Sequence, residues 1–110
     1  MIKKVYLSYS QCPESCWHII QARAQGQPSI LTYCRDKKTI KSNRRKSTRK
    51  LKSCSQYDRD EYPFACTYEG GSGADVIYID PSDNRRSGSI IGHQLRNYPD
   101  GTKFMIIITY

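Results

Sequence analysis

A cluster of acidic side chains is the feature of this chain with the clearest chemical potential. Four of the ten Asp and Glu residues lie within residues 58–69, and the only cation there is Arg59. The four acids are Asp58, Asp60, Glu61 and Glu69. Neighbouring carboxylates repel one another, so a cluster costs stability unless a cation occupies it. Mg²⁺, Mn²⁺ and Ca²⁺ prefer oxygen ligands. The cluster therefore indicates either a divalent-metal site or a solvated salt-bridge patch.

The rest of the chain is strongly basic. Eighteen Lys and Arg residues against ten acids give a net charge of +8, and ten of these cations lie in residues 35–52 beside one acid, Asp36. Such an excess favours an anionic partner: nucleic acid, anionic lipid or acidic polysaccharide. Carboxylates that hold a metal beside a cationic surface are what phosphodiester cleavage requires. The basic segment itself is predicted to be either a solvated helix or a mobile loop.

Length and hydropathy limit the class of protein. A chain of 110 residues is expected to form one domain, residues 1–110. The mean hydropathy is −0.72, and the longest apolar run, residues 104–108, is far shorter than the roughly 20 residues of a membrane span. The first residues do not form a secretion signal, because polar residues follow too soon. If the protein is exported, its signal has been removed or lies outside this sequence.

The cysteine content suggests an oxidising compartment. Five cysteines are many for a small chain, and an odd number leaves at least one thiol unpaired. The spacing does not match a zinc finger, because no second close pair follows Cys12 and Cys16. We expect disulfides, but two bridges and one free thiol can be arranged in about fifteen ways.

Strand and helix patterns alternate along the chain. Strands are predicted at residues 2–9, 30–34, 75–80 and 104–109, the last of them central in the sheet. A first helix begins at Pro13, with Trp17, Ile20 and Ala24 at helical spacing, and ends before Gly26. A second short helix is predicted from about 87 to 96, after a turn at residues 81–84.

Several of these segments together resemble one enzyme family. They are residues 13–15 (PES) with His18 and Ala22, 43–45 (NRR), 58–65 (DRDEYPFA), 69–71 (EGG), 83–84 (DN) with Gly88, Ser89 and Gly92, and 100–101 (DG). In this order they resemble the NucA/NucB family of small bacterial deoxyribonucleases. The resemblance implies an α+β fold: one compact domain, a mostly antiparallel sheet with a few helices packed on it, and an active site like that of the ββα-metal nucleases.

The resemblance also implies roles for the acidic cluster. Asp60 is the leading candidate for the general base and a candidate metal ligand. Glu61 is the second catalytic candidate, as a partner of the base or as a metal ligand. Glu69 is expected close by, as a ligand or as a residue that orients the site. Asn84 would approach the metal or phosphate, or would instead be the N-cap of the following helix. The expected cofactor is a divalent metal ion, Mg²⁺ or Mn²⁺.

Basic residues and histidines complete the predicted site. Arg59 is expected to bind phosphate, or to pair with Asp58 and its neighbours. The other predicted DNA-binding residues are Arg44, Arg45, Lys46 and Arg85. His18 could contact metal or substrate, or could be a packing residue. His93, where the family commonly has an amide, could face the site or solvent.

The functional prediction is a secreted, metal-dependent, largely sequence-nonspecific DNA endonuclease. We expect a monomer that acts on DNA, has no membrane partner and could be bound by a protein inhibitor. One alternative is a non-catalytic cationic module that binds DNA or another polyanion. Another is a nuclease toxin domain of a larger secreted protein.

Overall fold

The computed structural model describes residues 1–110 as three helices and five strands. In chain order these are β1 (Lys3–Ser8), α1 (Pro13–Ala24), β2 (Ile30–Thr32), α2 (Lys37–Thr48), β3 (Asp58–Tyr62), β4 (Asp75–Ile79), α3 (Pro81–Leu95) and β5 (Lys103–Thr109). The α+β class is confirmed. None of the three helices has the length and apolar character needed to cross a bilayer.

The larger sheet has the strand order β1-β5-β2. β5 lies parallel to β1, with Val5 opposite Ile106, and antiparallel to β2, with Leu31 opposite Phe104. These four side chains are fully buried in the main core, which explains why β5, the most apolar strand, occupies the centre. The central position predicted for β5 is confirmed, but the parallel β1–β5 pairing makes this sheet mixed.

The second sheet is an antiparallel hairpin of β3 and β4, followed directly by α3. The sequence patterns predicted β4 but not β3, because the acidic residues of β3 do not alternate with apolar ones. α3 begins at Pro81 rather than near residue 87. Asp80 is its N-cap and accepts hydrogen bonds from the backbone N–H groups of Ser82 and Asp83. Pro81 suits the first helical turn, where its missing N–H costs nothing.

α1 was predicted in the right place, and its buried residues are not the ones whose helical spacing indicated it. Its buried residues are Ser15, Cys16, His18, Ile19 and Ala22. Trp17 is 49% exposed. The buried stripe of α1 consists mainly of small and polar side chains.

α2 resolves the two alternatives for the basic segment in favour of a helix. Asp36 caps it by accepting a hydrogen bond from the backbone N–H of Thr39, and Ser47 is its only buried residue. The helix therefore presents nearly all of its cations to solvent.

No disulfide is present in the structure. Cys12, Cys16 and Cys34 are buried, Cys66 is half-buried and Cys54 is exposed, all as free thiols. The expected disulfides stay a prediction.

Candidate active site

A cleft of about 620 Å³ is lined by three of the four residues of the acidic cluster. Asp58, Asp60 and Glu61 of β3 line it, together with Arg44 of α2 and Asn84 of α3. The three elements are far apart in the chain, and the β3–β4 hairpin is the support on which they meet. The structure thus brings together both predicted catalytic residues and one further predicted metal ligand.

A buried histidine lies directly behind Asp60. His18 is 1% exposed, its Nδ1 is 2.7 Å from Asp60 Oδ2, and its Nε2 is 2.8 Å from Asp75 Oδ2. Both ring nitrogens are therefore engaged by carboxylates, and neither is available to a metal ion or a substrate. His18 instead holds Asp60 at the wall of the cleft.

The protonation equilibria of this pair reflect burial and charge. Burial raises the pKa of Asp60, and the hydrogen bond and charge of His18 oppose that rise only in part. Burial lowers the pKa of His18, but the contacts with Asp60 and Asp75 outweigh it, so that the pKa lies above its usual value. A buried carboxylate with a raised pKa accepts a proton more readily than an exposed one.

Glu61 is held by two residues of α2. Ser47 Oγ donates a hydrogen bond of 2.5 Å to Oε2, and Arg44 Nε lies 3.6 Å from Oε1. Burial raises the pKa of Glu61, while Ser47 and Arg44 act in the opposite direction. The interaction ties the end of the basic helix to the acidic strand.

Asp58 and Asn84 form a second pair across the cleft. Asn84 Nδ2 donates to Asp58 Oδ2 at 3.0 Å, and Arg85 NH2 lies 3.4 Å from Asp58 Oδ1. Asn84 lies inside α3, so the alternative that it is the helix N-cap is wrong; Asp80 has that role. Its amide oxygen makes no hydrogen bond to the protein.

Arg59 lines the cleft but does not pair with the neighbouring acids. Its NH1 donates to the carbonyl oxygens of Thr48 and Leu51, both at 3.2 Å, at the end of α2. The alternative that Arg59 neutralises Asp58 is therefore wrong. Arg59 instead stabilises the carbonyl end of the basic helix, where a cation is favourable.

Glu69 lies outside the cleft lining. Its carboxylate accepts hydrogen bonds from the backbone N–H of Thr32 at 2.7 Å and from Thr32 Oγ1 at 2.8 Å. The expectation that Glu69 lies beside the acidic cluster is not supported by this position. Its visible role is to fasten its loop to β2.

The remaining predicted residues are on the surface. Arg45, Lys46 and Arg85 are exposed on α2 and α3, and Arg44 is 62% exposed. His93 is exposed and does not line the cleft. The structure thus leaves four cations accessible around the acidic site and separates His93 from it.

A buried aspartate fixes the helix that carries His18. Asp83 of α3 accepts hydrogen bonds from the backbone N–H groups of Glu14 and Ser15, at 2.8 and 3.0 Å, and from Ser15 Oγ at 2.6 Å. Cys12, the N-cap residue of α1, makes no side-chain capping bond. Asp83 therefore caps α1 from another helix and sets the position of His18 relative to β3.

Asp75 and Asp83 were missed as parts of this site. Asp75 looked like the start of a strand and Asp83 like a turn residue. Each contacts residues of α1 that are more than fifty positions away in the chain. No local pattern marks such a contact. Asp58 was recognised as a member of the acidic cluster but was given no individual role.

The side-chain oxygen atoms that line the cleft suit a hard cation with few protein ligands. No group of three or more His, Cys, Asp and Glu side chains is arranged to hold a metal ion. The cleft nevertheless offers carboxylate oxygens from Asp60 and Asp58 and the unpaired amide oxygen of Asn84. Mg²⁺ commonly uses only one or two carboxylates and completes its shell with water and substrate phosphate. The residues present therefore fit such an ion.

Comparison with known proteins identifies the family of this chain. The chain is 45% identical over 96 residues to the DNA-entry nuclease of Bacillus subtilis (strain 168), an alignment that covers 87% of this chain. The chain spans 64% of the length of that relative. The sequence model of the deoxyribonuclease NucA/NucB family matches residues 15–107. This range includes all the cleft residues named above. The chain therefore belongs to the deoxyribonuclease NucA/NucB family.

Proposed function

We propose that this protein is a metal-dependent DNA endonuclease that hydrolyses phosphodiester bonds with little regard to sequence. The observation that carries the proposal is the buried His18–Asp60 contact at a cleft of carboxylates beside a basic helix. Membership in a deoxyribonuclease family makes DNA the expected polyanion.

Asp60 is proposed as the general base. It would accept a proton from the water that attacks phosphorus, while the bond from phosphorus to the leaving strand oxygen breaks and that oxygen takes up a proton from solvent water. Its raised pKa favours proton acceptance, and His18 keeps its carboxylate oriented. Glu61, held by Ser47 and Arg44, is proposed to assist in proton transfer from the adjacent position on β3.

Asp60, Asp58 and Asn84 are the residues that would hold a divalent ion, Mg²⁺ or Mn²⁺. When bound, such an ion supplies positive charge that stabilises the developing charge on the scissile phosphate. The hydrogen bond from Asn84 Nδ2 to Asp58 orients the amide so that its oxygen is free. Arg85 balances part of the negative charge of Asp58.

The order of the elements supports a ββα-type site. The antiparallel β3–β4 hairpin is followed directly by α3, and the candidate residues come from β3 and α3. The resemblance to the ββα-metal nucleases therefore rests on chain order as well as on residue type. In this chain an aspartate, Asp60, would act where many of those nucleases use a histidine.

The cations around the cleft are proposed to position the DNA backbone. Arg44 and Arg59 line the cleft, Arg85 lies beside Asp58, and Arg45 and Lys46 extend the surface along α2. Contacts to phosphate fix the register of a duplex without reading its sequence. This is the physical basis for proposing low sequence preference.

The place of action is proposed from the family resemblance. Members of the family are secreted or surface-associated, so we propose an extracellular monomer that acts on DNA without a membrane partner. Light scattering on the purified protein tests the monomer. Fractionation of the producing cells tests the location.

Cleavage of supercoiled plasmid tests the activity directly. We expect nicked and linear products with Mg²⁺ or Mn²⁺, and no products when EDTA is in excess. A smear rather than discrete bands after longer incubation indicates low sequence preference. Undiminished cleavage in EDTA would contradict the metal requirement, and binding without cleavage would favour the cationic binding module.

Replacement of Asp60 tests the assignment of the base. Asp60→Asn keeps the size of the side chain but removes its basicity, so we expect cleavage to be abolished while DNA binding is nearly retained. Asp100→Asn is the control, because Asp100 is an exposed carboxylate outside the cleft. Turnover near the wild-type rate in a folded Asp60→Asn protein would remove Asp60 from the mechanism.

A further inference from the structure

Two cysteines that are far apart in the sequence face each other across paired backbone segments. Tyr33, just past the end of β2, pairs with Thr67 in an isolated antiparallel bridge. The same register places Cys34 directly opposite Cys66. The backbone N–H of Cys34 donates a hydrogen bond of 2.9 Å to the carbonyl oxygen of Cys66. The two residues are therefore direct neighbours across this pair of segments.

This pairing gives the geometry that a disulfide bond requires. Directly opposite residues of an antiparallel pair carry their side chains on the same face. Their Cα atoms are about 4.5–5.5 Å apart, which lies inside the range of about 4.4–6.8 Å found in disulfides. The sulfur of Cys34 lies 3.8 Å from the carbonyl oxygen of Asp36. This is a weak contact, and a bond to Cys66 would replace it.

Further contacts hold both backbones in place. Asn43 of α2 donates from Nδ2 to the carbonyl oxygens of Ala65, at 3.2 Å, and Thr67, at 3.0 Å. These two carbonyl groups flank Cys66 in the chain. Cys34 is fully buried where the chain leaves β2 and turns towards α2. Folding therefore keeps the two thiols close together, which favours a reaction between them over a reaction with a distant cysteine.

The other three cysteines are less suited to a stabilising bond. Cys12 and Cys16 are fully buried at the start of α1, where the N–H of Cys16 donates to the carbonyl oxygen of Cys12. A bond between them would close only one helical turn, and short loops gain least from a cross-link. Cys54 is exposed in the unpaired loop before β3. A bond between Cys34 and Cys66 would leave these three as the free thiols.

We propose that Cys34 and Cys66 form a disulfide bond in an oxidising environment. The oxidant is a low-molecular-weight disulfide such as oxidised glutathione. Cys66 reacts first, because it is only half-buried and lines the cleft. Its thiolate attacks one sulfur of the small disulfide and releases a thiolate; the Cys34 thiolate then attacks the Cys66 sulfur and releases the second. Two protein thiols are oxidised, and the two released thiolates take up their protons.

The bond would close a loop that contains both α2 and β3. These elements carry the basic surface and the acidic strand of the cleft. A cross-link between the ends of this segment restricts its freedom in the unfolded chain, and so stabilises the folded protein. The proposal does not depend on the nuclease assignment, because it concerns only the two thiols and the stability of the fold.

Peptide mapping without reduction tests the pairing directly. Trypsin distributes the cysteines among separate peptides: residues 5–23 (Cys12 and Cys16), 24–35 (Cys34), 53–59 (Cys54) and 60–85 (Cys66). Burial raises the pKa of the Cys66 thiol to about 11, so the protein is incubated with oxidised glutathione at about pH 8.5, where more of the thiol is ionised. Free thiols are then alkylated before digestion.

Mass spectrometry should show peptide 24–35 linked to peptide 60–85. Dithiothreitol should release both peptides. The peptides that carry the other three cysteines should be fully alkylated. A link from Cys34 or Cys66 to any other cysteine overturns the proposal, and so does alkylation of both thiols after prolonged incubation.

Thermal unfolding tests the consequence of the bond. The oxidised wild type should unfold about 10 °C above the reduced wild type, as expected for a cross-link that closes a loop of this size. Cys66→Ala should abolish this difference between oxidised and reduced protein. Cys54→Ser is the matched control, since Cys54 is exposed, and should retain the difference. Equal midpoints for oxidised and reduced wild type, or a difference that persists in Cys66→Ala, overturns the proposal.

Discussion

His18 and Asp60 are 2.7 Å apart, between helix α1 and strand β3, and the histidine is almost completely buried. The second ring nitrogen of His18 contacts Asp75 on β4, so that one imidazole connects both strands of the hairpin to α1. The cleft-side carboxylate therefore has a rigid support behind it. The reactivity that we propose for Asp60 depends on this support.

Loss of the histidine should impair turnover more than substrate binding. We expect His18→Ala to lower kcat by about 10- to 100-fold with KM little changed, because residues that orient a reacting group act on that scale. His93→Ala is the matched control, since His93 is exposed and lies outside the cleft lining. Steady-state plasmid cleavage measures both constants.

A purely structural role for His18 would give a different result. It would lower the amount of folded enzyme and leave the kcat of the folded fraction intact, which active-site titration detects. If His18→Ala does not fold, Asp75→Asn tests the support of the same imidazole from its other ring nitrogen, since Asp75 is 38% exposed. This variant should reduce kcat in the same direction and by less.

Glu61 and Glu69 should behave differently although both belong to the acidic cluster of the sequence. We expect Glu61→Gln to lower cleavage by at least about a hundredfold, the scale of one acid–base group. Glu69→Gln weakens only the bonds to Thr32, so it should reduce thermal stability and leave kcat within about twofold. If Glu69→Gln lowers kcat as much as Glu61→Gln does, Glu69 takes part in catalysis and this prediction is wrong.

The exposed cations of α2 should control the salt dependence of DNA binding. Each phosphate neutralised contributes about −0.9 to the log–log slope of affinity against salt. Arg45→Gln with Lys46→Gln should therefore flatten the slope by about two at most, on every DNA sequence alike. Arg44 is left in place because it also contacts Glu61.

The rate at saturating DNA should change little in this double variant, because phosphate contacts hold ground and transition states about equally. Lys3→Gln with Lys4→Gln, on β1, is the control for net charge. The measurement is fluorescence anisotropy of labelled duplex at several salt concentrations. Parallel slopes for wild type and the α2 variant would show that DNA docks elsewhere, for example at Arg85, Arg86 and Arg96.

Gly70 is required by a close backbone approach. A Cβ atom built at Gly70 would lie 2.3 Å from the carbonyl oxygen of Phe64, whereas one at Gly73 would have no atom within 4 Å. We expect Gly70→Ala to lower the free energy of unfolding by about 1–3 kcal/mol. Gly73→Ala should be close to neutral. Urea unfolding of both variants checks this, and equal stability would contradict the contact.

The sequence alone determined much of the framework and the identity of the candidate base. The apolar run at residues 104–109 was predicted to be central, and it is, because the most apolar strand gains most from burial on both sides. The run from Asp58 to Glu61 indicated an acidic site, since clustered carboxylates are costly without a function. The match of several separated segments indicated the family.

Only the tertiary structure decided how the site is assembled. β3 and the early start of α3 were missed, because β3 carries acids that the cleft requires and the helix start depends on the Asp80 cap. The helical spacing of Trp17 did not say which face of α1 is buried, and in the structure His18 occupies that face while Trp17 is exposed. Contacts such as His18–Asp60 and Ser47–Glu61 join residues distant in the chain, and their partners are chosen by packing between elements. Packing between elements therefore gives two acids of the same cluster different positions. Glu61 contacts the basic helix, whereas Glu69 is hydrogen-bonded to Thr32 of β2.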